Sequence, residues 1–372
     1  MELFITQFKI QKIFYMTRRM LFISNMYPSE SSPSFGTFVK TNEEQLMEMG
    51  CFDIEKSVID RQSNGVLDKA YLYMTYIFDV MYKLIFKEFD VIYAHYLTHT
   101  TIPLLMWPFY SGKLVINVHG DDLVGKTLAH RLMQICNKHL LVRATLIVVP
   151  SPLFKKILMD KFPFIISDKV IVNYSGGVRY GEFKTARVVH DMDEIVVGYC
   201  SRIDEGKLWG LLLNSIKKVE NKLREKKVIF YFYGSGNQLP SFYRNIEELD
   251  IADLVKYRGV FKIHQAPTIY SQFSHFIFPT SRESLGLVAL EGMASGCITM
   301  CSNIEPITSL CENGVIYFDN TVDSLSSALL SAISMTSRDK QELINSAKKI
   351  SSRYDYNEVK RKLWEAINEC FN

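Results

Sequence analysis

The chain alternates short, almost wholly apolar runs with longer mixed stretches. In the first half the apolar runs are Met20–Ser24, Asp90–Ala94, Leu114–Val118, Leu146–Val149 and a segment around Lys169–Val172. In the second half the strand candidates are Ile195–Tyr199, Val228–Tyr233, Val255–Arg258, Phe276–Phe278, Cys297–Met300 and Val315–Tyr317, all but Val255–Arg258 mainly apolar. Runs this short, apolar on both sides and followed by helix-like sequence, predict parallel strands covered on both faces by crossover helices. Helices are expected from Thr37 or Phe38 to Met49, stopped by Gly50, and over Trp209–Leu223, Pro240–Leu249 and Ala266–Gln272. Three more close the chain at Ser324–Met335, Lys340–Ser351 and Asn357–Asn372. The reading is α/β, two Rossmann-like doubly wound domains. Residues 1–19 form an N-terminal extension, 20–190 the first domain and 195–355 the second, with the charged stretch 181–194 as linker. Residues 356–372 are a terminal helix placed to pack back on the first domain.

At 372 residues the length suits two cores rather than one. A hydrophobic content of 48% with 22% charged residues excludes a disordered chain. Seven scattered cysteines with no C-x-x-C pair argue against a disulfide scaffold and a zinc site, and for reduced thiols in a cytoplasmic setting. The net charge is +3, but Lys126–His190 carries eleven Lys or Arg against Asp160, Asp168 and Glu182. That excess suits an anionic lipid surface or a phosphorylated acceptor, or serves solubility alone. No secretory cleavage pattern follows Lys9, Lys12, Arg18 and Arg19, and no apolar run has spanning length. The nearest, Tyr71–Lys87, contains Asp79 and Lys83 and fits a helix lying on a core or on a bilayer surface. The basic excess is tied to no recognition motif, so nucleic acid is not an expected partner.

Candidate chemistry gathers where strands end. After Phe276–Phe278 the sequence Pro279–Ser284 reads as a loop and Leu285–Ala294 as a helix, with Glu283 and Glu291 eight residues apart. They are either ligand carboxylates at a sheet edge or, respectively, a first-turn residue and part of a solvated helix face. After Ile195–Tyr199 stand Arg202 and Lys207, a planar fork and a mobile point charge suited to a diphosphate. Gly234 and Gly236 follow Val228–Tyr233 and would let a ligand approach backbone. Leu114–Val118 runs into His119-Gly120-Asp121-Asp122, a functional crevice or a capping or core histidine; His95 is a similar case. The loop Asn25–Gly36 ahead of a helix is either an anion-facing turn or a plain surface loop. With cations assigned to phosphates, the carboxylates are left for sugar and ribose hydroxyls, which makes one coherent nucleotide-sugar site.

On these residues the chain resembles the retaining GT-B glycosyltransferases of family 4, glycosyl transferases group 1, of the bacterial polysaccharide type. The carriers are ESLGLVALE (Glu283–Glu291) between FPTSR and GMASG, SRIDEGK around Arg202 and Lys207, HGDD at His119, and YPSESSPSFGTFVK (Tyr27–Lys40). The resemblance implies two domains facing across a cleft that closes on substrate, and transfer from a UDP- or GDP-sugar to a hydroxyl of a glycan or lipid-linked oligosaccharide acceptor, a hexosyltransferase activity. It implies Glu283 on donor-sugar hydroxyls, Glu291 on the ribose, Arg202 and Lys207 on the diphosphate, and His119 near the anomeric region. Gly36, with Ser284, Leu285, Gly286 and Leu287, would present backbone to the donor. No metal and no tightly bound cofactor are expected, and a peripheral place on the inner face of the plasma membrane is compatible. Ser201 and Leu208 stand where the family has glycines, and Asn303–Pro306 replaces a glycine-rich turn. A nucleotide-sugar epimerase of the same fold and a non-catalytic nucleotide-sugar scaffold are the alternatives. Oligomeric state has no signature in the sequence.

Overall fold

The computed structural model describes residues 17–32, 35–125, 127–185 and 194–371. The expectations for residues 1–16, Pro33, Lys126, the centre of the 181–194 stretch (186–193) and Asn372 lie outside the described residues. The chain divides into two compact units, Met1–Gly176 with Val359–Asn372, and Gly177–Glu358. The change of unit falls at Gly176–Gly177, ahead of the 181–194 stretch.

The first unit holds six parallel strands, β1 (Arg18–Ser24), β2 (Phe52–Val58), β3 (Val91–His95), β4 (Lys113–Asn117), β5 (Leu146–Val149) and β6 (Val170–Val172), in the order β2-β1-β3-β4-β5-β6. Alternation along the strands divides its core into two layers. Leu21, Ile23, Ile92, Ala94, Leu114 and Ile116 face one way, onto Tyr76, Val80 and Leu84. Met20, Phe22, Val91, Tyr93 and Val115 face the other, onto Val39 and Leu46 and, from the terminal helix Tyr356–Glu369, Leu363 and Ile367. The covering helices are α1 (Thr37–Glu48), with Gly36 left-handed before its first turn, and α2 (Val66–Phe86). The terminal helix from Val359 onward therefore counts with this unit, and Arg18 Nη1 donates to Asn368 Oδ1 at 2.9 Å.

Strand β2 has no counterpart among the apolar runs. Its sequence FDIEKSV is polar because it lies at the sheet edge with one neighbour, and only Ser57 is fully buried along it. Charges on an edge strand also discourage pairing with another chain.

The second unit repeats the plan with β7 (Ile195–Cys200), β8 (Val228–Tyr233), β9 (Val255–Tyr257), β10 (His275–Phe278), β11 (Ile298–Ser302) and β12 (Ile316–Phe318). The order is β12-β11-β10-β7-β8-β9, again all parallel. Helices α3 (Trp209–Lys218), α4 (Leu239–Glu248), α5 (Leu287–Ala294), α6 (Val322–Ile333) and α7 (Ser337–Ser351) cover it. The single helix expected over Trp209–Leu223 breaks at Val219, whose φ of −118° leaves the helical region, and Glu220–Glu225 is a separate turn of helix. Small residues set the closeness of layers: a Cβ on Gly198 would meet the Phe273 ring at 2.2 Å, and one on Gly292 would meet Phe276 at 2.7 Å. Each unit is thus a doubly wound α/β layer structure, and each sheet reverses strand order once, between β1 and β3 and between β7 and β10. Ligands of such sheets bind beyond the strand ends at that reversal.

Candidate functional site

In the second unit the reversal puts the ends of β7 and β10 side by side, and the two loops that leave them are tied together. Gly206 O accepts from Ser281 N at 2.9 Å, and from the hydroxyls of Thr280 and Ser281 at 3.2 Å each. Tyr199, buried in β7, sends its hydroxyl to Arg202 O at 3.1 Å and Lys207 O at 3.2 Å, which closes the 202–207 turn from beneath. These bonds bring Lys207 Nζ onto Glu283 Oε1 across 76 residues of sequence. The pair is largely enclosed, with side-chain exposures of 17% and 13%, over the Phe278 ring. Thr280 Oγ1 steadies the same carboxylate oxygen at 3.2 Å. An enclosed pair of this kind is strongly coupled, and removing one partner strands the other's charge.

Beside Glu283 the chain turns through Gly286, at φ +97°, into α5. Among the described residues no acceptor takes the N–H groups of Ser284, Leu285, Gly286 or Leu287. They form a helix start suited to an anion or a sugar hydroxyl.

The other predicted residues of this unit fall apart from that pair. Arg202 is exposed on the same turn and bonds Asp204 at 3.1 Å, while Asp204 also accepts from Asn237 N at 2.6 Å. Gly234 proves to be a packing residue: its Cβ position lies 1.9 Å from Ser201 O, its N–H goes to Gly259 O and its carbonyl accepts from Tyr257. The expectation that it opens backbone to a ligand is corrected accordingly, and Gly236 is likewise pressed on Ile203 O. Glu291 is half-buried and not on a fully solvated helix face. It is turned inward near Tyr270 and Cys200, and burial pushes its carboxyl up to about 7. The buried Tyr270 hydroxyl lies near it without completing a hydrogen bond. Beyond the ends of β8 and β9 lies a recess of about 480 Å³ lined by Tyr233, Tyr257, Arg258, Phe261, Gln265 and Gln272.

In the first unit the ends of β3 and β4, beside the reversal, carry aromatic and imidazole rings. His119 stacks on His95 at 5.0 Å, with His95 Nδ1 2.8 Å from His119 Nε2, and Phe38 and Tyr96 pack on His119 at 4.6 and 4.7 Å. Burial holds His119 down at about 3 and His95 well below the usual imidazole range, so both rings are neutral near pH 7. A narrow recess beside them is lined by Phe38, Asn42, Asn117, His119, Asn173 and Ser175. Asp122, read from sequence as a crevice carboxylate, faces inward instead. It accepts from the N–H groups of Leu97, His119 and Gly120 at 2.8–3.2 Å and so fixes the turn that presents His119. Gly36, at φ +79°, is packed on Met26 at the start of α1. Thr280, Tyr199 and Asp204 carried no signal in the sequence, because each acts through residues distant in the chain or through backbone.

No group of three or more His, Cys, Asp or Glu able to hold a metal occurs among the described residues. Nor, among them, is any helix long and apolar enough to cross a membrane. Residues 182–350, nearly the whole of the second unit, match the family model described as Glycosyl transferases group 1. No curated protein matches the chain. Among solved structures the chain is similar to sucrose-phosphate synthase from Thermosynechococcus elongatus, at 14% identity and TM-score 0.76, over 95% of this chain and 99% of that one. It is similar to HepE of Anabaena in complex with UDP and glucose, at 15% identity and TM-score 0.70, over 95% and 100%. A glycosyltransferase from Rickettsia africae matches at 16% identity and TM-score 0.73, over 96% and 100%. These likenesses show the fold, the two Rossmann-like domains of GT-B.

Proposed function

We propose that the protein is a retaining glycosyltransferase that moves a sugar from a nucleoside-diphosphate sugar to a hydroxyl of a glycan or lipid-linked acceptor in surface polysaccharide synthesis. The observation that carries this reading is the Lys207–Glu283 pair at the reversal of the second sheet, beside the unclaimed N–H groups of Ser284–Leu287. The family match over residues 182–350 and the UDP and glucose complex of HepE support the substrate class.

The pair divides a nucleotide sugar into two chemistries. Lys207 serves the diphosphate, with Arg202 exposed on the same turn and able to swing to it; Glu283 accepts from sugar hydroxyls. A phosphate arriving at Lys207 replaces Glu283 as its counter-ion, which frees the carboxylate as the sugar arrives. The aromatic recess of about 480 Å³ suits a planar base, and Glu291 takes the ribose. In transfer, the bond from the anomeric carbon to the phosphate oxygen breaks with its electron pair going to the nucleoside diphosphate. The acceptor oxygen forms the new bond on the same face, and its proton passes to the departing phosphate. Lys207 and the helix start stabilise the charge that develops on the leaving group. His119, being neutral, contributes a hydrogen bond and no charge.

The test is a panel of UDP-, GDP- and ADP-sugars, read first by thermal stabilisation and then by nucleoside diphosphate release with a glycan acceptor. At least one donor is expected to stabilise the protein and to be consumed. Stabilisation without turnover, unchanged by supplying acceptors, would favour a binding scaffold; an epimerised donor without acceptor would favour an isomerase.

A further inference from the structure

The first unit leaves two apolar faces uncovered, and they are neighbours. Helix α2 spans 21 residues, about 30 Å. Tyr76, Val80 and Leu84 face the core, while Leu67, Tyr71, Met74, Phe78, Tyr82 and Ile85 recur at three-to-four spacing on the outside. Leu67 is 87% and Phe78 73% exposed, where an ordinary amphipathic helix would be polar. The second face belongs to the helix Leu128–Cys136, where Leu128, Leu132 and Ile135 are exposed, Leu128 by 74%. Both helices are anchored on the 97–101 turn. Tyr76 donates to Thr100 O at 2.8 Å, Thr101 Oγ1 donates to Asn137 Oδ1 at 2.7 Å, and Asn137 Nδ2 donates to Leu97 O at 3.0 Å. His99 in that turn meets Tyr73 of α2 edge-on at 5.6 Å.

Around the second face the exposed charges are basic, whereas those on α2 are mixed, with Asp79 47% exposed and Glu88 exposed just beyond the helix. From Leu123 to Met159 the sequence has no Asp or Glu, and Arg131 and Lys138 are exposed among the apolar positions. On α2, Lys69 is exposed, while Asp68 is held bidentately by Arg61 and Asp79 is paired with Lys83. Two adjoining exposed apolar stripes, one of them flanked by Arg131 and Lys138 with no acid from 123 to 159, match the surface of a bilayer bearing anionic headgroups, where rings and aliphatic chains enter the acyl boundary and Lys and Arg meet phosphate.

We propose that the faces of α2 and Leu128–Cys136 form one docking surface for an anionic lipid bilayer, on which the first unit lies without spanning it. This goes beyond the transferase reading and needs no donor. If the acceptor is lipid-linked, the same surface brings the protein to it.

The experiment uses the full chain and vesicles of phosphatidylcholine alone or mixed with phosphatidylglycerol, read by co-sedimentation. The wild type is expected to sediment with the anionic vesicles and not with the neutral ones. Phe78→Glu with Leu132→Glu is expected to weaken that binding by more than about tenfold, because two buried apolar side chains are lost. Lys138→Glu removes one cation and adds an anion, for about a fivefold or greater weakening that vanishes in high salt. Sedimentation with neither vesicle, or equally with both, overturns the proposal. So does a dimer in light scattering that Phe78→Glu dissolves, which would assign the face to a second copy. A fall of several degrees in melting temperature for Phe78→Glu would assign it to the chain's own residues and overturn the proposal as well.

Discussion

The two sheets place their chemistry by the same rule and fill it with opposite kinds of group. At the reversal between β7 and β10 the second unit sets a lysine on a carboxylate. Beside the reversal between β1 and β3, past the ends of β3 and β4, the first unit sets two stacked imidazoles among aromatic rings, both neutral. Topology chooses the position; the side chains choose what ligand could stand there. A charged end suits a diphosphate, and a neutral end attracts no phosphate.

The difference is sharpest under substitution of the charged end. Lys207→Ala and Glu283→Ala are each expected to lower kcat/KM by roughly a hundred- to a thousandfold, the size of losing one preorganised stabiliser of transition-state charge. His119→Ala, which removes only a neutral hydrogen bond, is expected to cost about tenfold. Equal losses at both ends would erase the distinction. Next in size, Asp122→Ala strands three N–H groups in the first unit and is expected to destabilise it by roughly 3 kcal/mol in urea unfolding.

The two ends also answer pH in opposite directions. Glu291 binds its proton more tightly folded, at about 7, than unfolded, near 4.5. Its contribution to stability is present below the unfolded value and lost as pH rises through 7, so Glu291→Gln is expected to stabilise by about 2–3 kcal/mol at pH 8 and by almost nothing at pH 4. His95 and His119 bind protons less tightly folded, so their contribution is present above about 6.5 and is lost as pH falls toward 3. Acid melts of His119→Asn are expected to show a shallower slope below pH 6. Smallest is Tyr199→Phe, which removes the hydroxyl beneath the 202–207 turn. It is expected to cost about 1 kcal/mol of stability and to raise KM for the donor more than it lowers kcat.

Eleven of the twelve strands were legible, most because a strand buried on both faces must be apolar throughout; β9 (VKY), with Lys256 exposed, is not such a run. β2 was not legible, since an edge strand needs only one partner and carries Asp53, Glu55 and Lys56. In the site, residue types at strand ends pointed to Lys207, Glu283 and Glu291, but not to their relations. The contact of Lys207 with Glu283 depends on β7 and β10 being neighbours, and strand order is not written in any local pattern. The environment of Glu291 depends on Tyr270 and Cys200, which belong to other elements. Gly234 misled for a general reason: a glycine reports that something comes close, and here that is the Ser201 carbonyl and not a ligand. The apolar character of Tyr71–Lys87 was visible, whereas the side it leaves bare required the packed first unit.

In the proposed reaction Lys207 and Glu283 exchange each other for a donor. Calorimetric titration with a nucleoside diphosphate and the matching nucleoside, on the wild type and on Lys207→Ala, tests this directly. The predicted result is a weakening of the diphosphate by about tenfold or more in the variant, with the nucleoside unchanged. Equal affinity of the two proteins for the diphosphate would contradict it.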